Sequence, residues 1–445
     1  MDILDDFFVR TSAIVWGPVL IILLFGCGLF YTIILRFIQI RKFWHGLKAI
    51  SGFYDSPEHK GEISHFQALV TALSATIGVG NIAGVATAIA IGGPGAVVWM
   101  WLTGILGMAT KFASCTLGHK FRIFKDGKPR GGPMYYIEQG LENKFLAIFF
   151  AICCAISALG IGNMVQANSV ADAFKTVFKV PPSITGIVLT FTAWLVIVGG
   201  IRRIARFAQM VVPFMCLFYV GTGLFILFRN ISFLPQALKE IFKSAFCGSS
   251  AVGGFTGATV LKTMRIGTAR GLFSNEAGLG SAPIAHSVAK TDEHVREGLV
   301  AMVGPFIDTI VVCSITALVI ISSGLWQKGL TGATLTSNAF NYFLPHIGNY
   351  IVAVGLIFFA FSTLIGWSYY GETAVDYLLG PNVVSVYRWI YCFIIFFGAM
   401  LKLDLVWNIS DTANGLMAFP NLLALFLLWK MVFLETDDYF KRHKC

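Results

Sequence analysis

Gly78, Gly80 and Gly84 interrupt an apolar run that extends from Ala72 to Gly84. In a stretch long enough to cross a bilayer, such a break frees backbone amides and carbonyls that lipid cannot satisfy, so they must face protein or ligand. The amides of Val79 and Gly80 open the second half of the broken helix, at the positive end of its dipole, and suit a carboxylate. Carbonyls near Ser74 and Ile77 end the first half and suit a small monovalent cation such as sodium. A second glycine-broken run, Gly248 to Gly257, lies far downstream. Paired breaks of this kind mark the binding site of a transporter. The competing reading makes Gly80/Gly84 and Gly253/Gly257 close-packing GxxxG pairs.

Hydroxyl ligands for such a cation have to come from a facing helix. Ser362 and Thr363, adjacent within Phe359-Ala360-Phe361-Ser362-Thr363-Leu364-Ile365-Gly366-Trp367, are the candidates. The alternative for both is a bond back to a carbonyl one turn earlier, a frequent habit of Ser and Thr in membrane helices. Gln166, in Gly160-Ile161-Gly162-Asn163-Met164-Val165-Gln166-Ala167-Asn168, either lines a substrate cavity or joins Asn163 and Asn168 in interhelical packing. Trp367, one turn beyond the hydroxyls, either caps a small pocket or packs in the core. Asp308 lies well inside an apolar segment, where an ionisable group is a functional candidate by default, and it sustains a proton-coupled permease as the alternative. Thr309, Ser314 and Thr316 are equally placed to satisfy it structurally. Asp172, Glu372 and Asp376 fall near span ends and read as structural.

Several signatures are excluded. Gly78-Val79-Gly80-Asn81-Ile82-Ala83 formally matches GxGxxA, but no strand precedes it and its flanks are membrane-apolar, which argues against a dinucleotide site. The chain has no GxxxxGK[ST], HExxH or GxSxG, so ATP-driven transport and intramembrane hydrolysis lack their usual residues. The nine cysteines form no CxxC pair and lie mostly in apolar segments as small core residues. No catalytic set, organic cofactor, nucleic-acid partner or obligate protein partner is implied. The transported solute is then coupled to an ion gradient.

These residues need membrane helices to hold them. Of 445 residues, 56% are hydrophobic and 13% charged, and the mean hydropathy is +0.74, the profile of a polytopic membrane protein. A span takes roughly 20 apolar residues. Eleven candidates begin near residues 13, 65, 94, 144, 183, 207, 238, 298, 348, 383 and 405. The acidic start, Met1-Asp2-Ile3-Leu4-Asp5-Asp6, is unlike a cleaved secretory signal and leads into the first of them. Clusters such as Arg36, Arg41, Lys42 and Lys48, or Lys120 to Arg130, alternate with poorly charged loops, so the net charge of +10 encodes orientation in the cell (inner) membrane. The N-terminus is then outside and the C-terminus cytoplasmic. With the first span set aside, the broken second and seventh spans run in opposite directions and open two inverted five-helix repeats. The chain divides into an extra helix and loop at 1–60, a first repeat at 61–230, a second at 231–435 and a tail at 436–445. Two polar segments, Asp126 to Leu141 and Gly267 to Lys290, read as short helices or re-entrant pieces at the inner mouth.

Four long motifs together carry a resemblance. They are Ala75 to Gly84, Gly92-Gly93-Pro94-Gly95-Ala96-Val97-Val98-Trp99-Met100-Trp101, Gly131-Gly132-Pro133-Met134-Tyr135-Tyr136, and Gly271 to Pro283 with Ser274-Asn275-Glu276-Ala277-Gly278 at its centre. The chain resembles the alanine or glycine:cation symporter family of the amino acid, polyamine and organocation superfamily over nearly its whole length. The resemblance implies an all-α polytopic leucine-transporter-like fold, sodium as coupling ion and small neutral amino acids as substrates. It puts the substrate carboxylate on the amides of Val79 and Gly80, groups Thr76 with that site, and makes Asn81 a substrate or ion ligand. It places sodium at carbonyls of Ser74 and Ile77, the Phe359 carbonyl and the hydroxyls of Ser362 and Thr363, whose order is reversed here. Gly253, Gly254 and Phe255 match the second break by position only.

Overall fold

The computed structural model describes residues 2–56, 58–246, 256–401 and 404–443. The chain is mostly helical. Seven described helices are long and apolar enough to cross a bilayer alone, and nine spans result when each of two sharply bent pairs is counted as one, against the eleven expected. The difference has visible causes. Pro182–Ile197 is a 16-residue helix, and the span expected from 238 is divided between Leu234–Phe246 and Thr256–Asn275. The second glycine break, with Gly253, Gly254 and Phe255, lies outside the described residues.

The first break is where the sequence puts it. His65–Thr76 opens with a capping box in which Ser64 Oγ accepts from the Gln67 amide at 3.2 Å and Gln67 Oε1 accepts from the Ser64 amide at 3.1 Å. Ile77 then leaves helical geometry at φ −78°, ψ 96°. The chain resumes as a π-helical turn, Gly80–Gly84, that runs into Val85–Gly92, and the two halves meet at 56°. Further π-helical turns occur at Gly160–Met164 and Phe306–Cys313. Wide turns of this type place backbone out of register with the regular ladder and recur at functional sites.

Gly348–Leu379 is the spine against which these pieces pack. Its 32 residues span roughly 48 Å at the α-helical rise. Two glycines let it approach neighbouring backbone. A Cβ on Gly366 would lie 2.6 Å from Ser74 Oγ and 2.8 Å from the Ala75 nitrogen, and one on Gly162 would lie 2.4 Å from Trp367 Cβ. The first half-helix is also held at its start, where His65 Nδ1 and His286 Nδ1 each donate to one oxygen of the buried Glu297 carboxylate.

Two expectations are corrected. The segment after Asp126 is not purely helical: Ile123–Lys125 and Lys128–Arg130 form an antiparallel hairpin ahead of the helix Pro133–Gly140. Asp126 and Gly127 take left-handed φ values of 51° and 71°, as a two-residue hairpin turn requires. The polar segment from Gly267 does not begin as a re-entrant piece, because Thr256–Asn275 continues through Gly267 as one helix. Only at Glu276 does the chain turn, with φ 53°, before the short helix Ala282–His286.

Candidate functional site

At the break, Asn81 closes a small ring. Its Oδ1 accepts from the Gly78 amide at 2.9 Å, and its Nδ2 donates to Asp308 Oδ1 at 2.7 Å. The amides of Val79 and Gly80 stand in the first turn of the second half-helix, where no earlier carbonyl of the same helix is available to accept from them. Both residues line a cavity between the broken helix, the spine and the end of Thr256–Asn275. Gly84 has nothing within 4 Å of its would-be Cβ, and the nearest atom to that of Gly80 is at 3.6 Å, so this glycine pair is not a close-packing motif.

The cation candidates meet on the other side of the break. Thr363 Oγ1 donates to the Ile77 carbonyl at 3.2 Å and to the Phe359 carbonyl at 3.0 Å, joining spine and broken helix through one hydroxyl. Ser362 Oγ bonds back to the Phe359 carbonyl at 2.9 Å and also faces Met215 Sδ at 3.4 Å. Ser74 Oγ bonds back to the Thr71 carbonyl at 2.7 Å. Four of the five expected residues thus cluster around Thr363 and its neighbouring turn, with Ser74 packed against Gly366 one turn further along. Back-bonding to the own helix, the alternative reading of the hydroxyls, is present at both Ser362 and Thr363.

The cavity itself is small, ≈ 20 Å³. Thr76, Val79, Gly80, Gln166 and Trp367 all line it, and Thr363 borders it. Gln166 donates through Nε2 to the Ile161 carbonyl at 3.0 Å and leaves Oε1 without a partner among the described residues. Asn163 and Asn168 instead bond backbone carbonyls of a neighbouring helix, Tyr391 at 2.8 Å and Leu401 at 3.0 Å, as packing amides. Trp367 is both wall and core: it is buried and its Nε1 donates to Glu276 Oε1 at 3.2 Å. Asn81 does not line the cavity, since both ends of its amide are spent on Gly78 and Asp308.

Sequence reasoning missed three polar lining residues, Ser274, Glu276 and Asn414. The first two belong to a motif that polarity alone consigns to the membrane surface, whereas its residues are buried. Asn414, an amide inside an apolar helix, carried the same signal as Gln166.

Asp308 sits behind the break, fully buried. Its carboxylate accepts from Asn81 Nδ2, from Ser274 Oγ at 2.9 Å and from Thr309 Oγ1 at 2.8 Å, so both oxygens are occupied by neutral donors. That pattern braces two π-helical turns and the end of Thr256–Asn275 against one another.

Two larger clefts lie at opposite ends of the spine. One, of ≈ 500 Å³, is bordered by Asp172, Asn338, Tyr350 and Leu356, and the other, of ≈ 470 Å³, by Glu62, Arg130, Tyr369 and Arg388. The cavity at Thr363 and Trp367 falls between them. In the second cleft Arg388 holds Glu372 through two bonds of 2.7 Å, and Arg130 pairs with Asp376. Both carboxylates are thus held by arginines at the rim of the spine.

A family model described as the sodium:alanine symporter family matches residues 1–445. The sodium/alanine symporter AgcS of Methanococcus maripaludis is 49% identical over 438 residues, covering 96% of this chain and 96% of that protein. An uncharacterized transporter of Haemophilus influenzae is 49% identical over 437 residues, covering 97% and 95%. Among solved structures, MhsT in complex with L-phenylalanine superposes with a TM-score of 0.57 at 11% identity, covering 85% of this chain and 98% of that one, a likeness of fold alone.

Proposed function

The chain belongs to the sodium:alanine symporter family, and from that premise we propose that it imports small neutral amino acids, alanine or glycine, by sodium-coupled alternating access. It is a carrier, not an enzyme. The substrate carboxylate takes the amides of Val79 and Gly80, with Thr76, Gln166 and Trp367 around the remainder of the molecule. Sodium takes the carbonyls of Ser74, Ile77 and Phe359 and the hydroxyls of Ser362 and Thr363. Eleven spans in an inverted five-plus-five arrangement with one leading helix, the N-terminus outside and the C-terminus cytoplasmic, complete the reading.

One observation carries it: a helix broken in mid-span presents the first-turn amides of its second half, at Val79 and Gly80, to a small cavity. A carboxylate suits that position, where the amides and the helix dipole both favour negative charge. The width of the cavity, walled by Ile161, Phe273 and Trp367, favours a short side chain. Sodium, by taking the Thr363 hydroxyl and the neighbouring Ile77 carbonyl as shared ligands, holds the break in order before substrate arrives. The coupling is reciprocal, so each ligand tightens the other.

Uptake of labelled alanine into proteoliposomes under an imposed sodium gradient tests the proposal. Ser362→Ala combined with Thr363→Ala is expected to raise the half-saturating concentrations of sodium and alanine together. Sodium dependence identical to wild type refutes the assigned cation site. Absence of counterflow stimulation by internal alanine refutes the carrier mechanism.

A further inference from the structure

We propose that Glu276, Gln166 and Asn414 jointly receive the α-ammonium group of the amino acid, with Glu276 as its counter-ion. This rests on the reading of the chain as an amino acid symporter and assigns the half of the substrate that the helix break leaves unaccounted for.

The cavity lining carries groups of two chemically opposite kinds. On the face of the break the amides of Val79 and Gly80 are donors. Three other lining residues carry acceptors. Glu276 is 6% exposed and forms no ion pair among the described residues; its Oε2 accepts from Ser281 Oγ at 2.5 Å and its Oε1 from Trp367 Nε1 at 3.2 Å. Each carboxylate oxygen keeps a further acceptor direction. Gln166 and Asn414, 5% and 2% exposed, each leave a side-chain oxygen with no partner among the described residues. Lys111, buried in Ala96–Lys120, bears on the Glu276 carboxylate electrostatically but forms no direct ion pair with it, and the two orphaned buried acceptors are costly unless a ligand completes them.

A primary ammonium completes all three. It offers three N–H donors and no acceptor, and it brings a cation into direct contact with Glu276, which the more distant Lys111 does not. The donors and acceptors are also close together. A Cβ on Gly80 would lie 3.8 Å from Ser274 Cα, two residues before Glu276, and one on Gly78 would lie 3.7 Å from Gln166 Oε1. Such spacing fits a molecule whose amine and carboxylate share one carbon. Ser281 and Trp367 hold the carboxylate in place and are positioning residues.

The test uses purified full-length protein at saturating sodium, with alanine and lactate binding measured by calorimetry and sodium binding measured separately without alanine. Lactate keeps the carboxylate and methyl of alanine but replaces the ammonium by a hydroxyl. Glu276→Gln is expected to lower alanine affinity roughly 10- to 100-fold, the weight of a charge-assisted hydrogen bond. It should leave sodium affinity at the wild-type value and erode the preference for alanine over lactate. Glu276→Asp, which keeps the charge, should recover part of that preference. Unchanged alanine affinity in Glu276→Gln overturns the proposal. So do loss of sodium binding without alanine, which would make Glu276 a cation ligand, and weakening of alanine and lactate in equal proportion. Should Glu276→Gln fail to fold, Asn414→Leu decides the same question: a loss confined to alanine supports the assignment, an equal loss of lactate refutes it. Wild-type protein that binds no small amino acid refutes the carrier reading itself, whereas wild-type binding with indifferent variants refutes this assignment alone.

Discussion

Asp308 shows how one buried carboxylate can be read as either engine or brace. Its oxygens accept from Asn81, Ser274 and Thr309, all neutral, and Asn81 in turn fixes the Gly78 amide. A group so occupied positions backbone. Asp308→Asn keeps the shape but turns one acceptor into a donor, leaving buried hydroxyls to rearrange, at a cost of about 1–3 kcal/mol. The expected outcome is a lower melting temperature and a reduced maximal rate, with sodium still driving alanine uptake. Uptake that loses its sodium dependence, or follows a proton gradient only in the wild type, would restore Asp308 as a proton carrier. Glu276 and Asn414 were illegible as site residues for a common reason: polarity marks a residue as placed against protein, but which cavity it faces is decided by the turn at Glu276 and by helix packing far away in sequence. Val79, Gly80 and Thr363 were legible as residues of the cavity because the glycines and apolar neighbours already announce a backbone break and a hydroxyl in an apolar setting.

At the level of helices, close approach replaces side-chain packing where the spine crosses the broken helix. A methyl on Gly366 would press on Ser74 Oγ and on the Ala75 backbone, which has no freedom to yield. Gly366→Ala should therefore separate Thr363 from Ile77 and weaken sodium binding several-fold in a protein that still folds. Gly221→Ala, at a position with nothing within 4 Å, should bind sodium as the wild type does, and the pair compared by sodium titration of purified protein checks the claim. The break at Ile77 to Val79 could be read from composition, because glycine in an apolar span has few other uses. The hairpin at Asp126-Gly127 carried an equally plain turn signal and was hidden by the charge around it, which suggested only a surface loop. The π-helical turns at Gly80, Gly160 and Phe306 leave no compositional trace, since the helical periodicity of the sequence continues through them.

Across the whole molecule, a small cavity lies between two wide clefts along a single helix, a layout compatible with the alternating access proposed above. The cleft at the Arg388 end is bridged by Arg388 with Glu372 and by Arg130 with Asp376. Arg388→Gln removes the two-bond clasp, so a cysteine introduced at Ser385 should react severalfold faster with a membrane-impermeant maleimide, while one at Asn338, at the far cleft, should react no faster; equal rates in both backgrounds would show that the clasp does not govern access. The first half-helix, finally, is fastened twice: His65 ties its beginning to Glu297, and Thr363 ties its end to the spine. A rod moored at both ends cannot swivel until one mooring lets go. Order of release then becomes the bookkeeping of the cycle, for a mooring that slips early would let the ion cross unaccompanied and dissipate the gradient as leak.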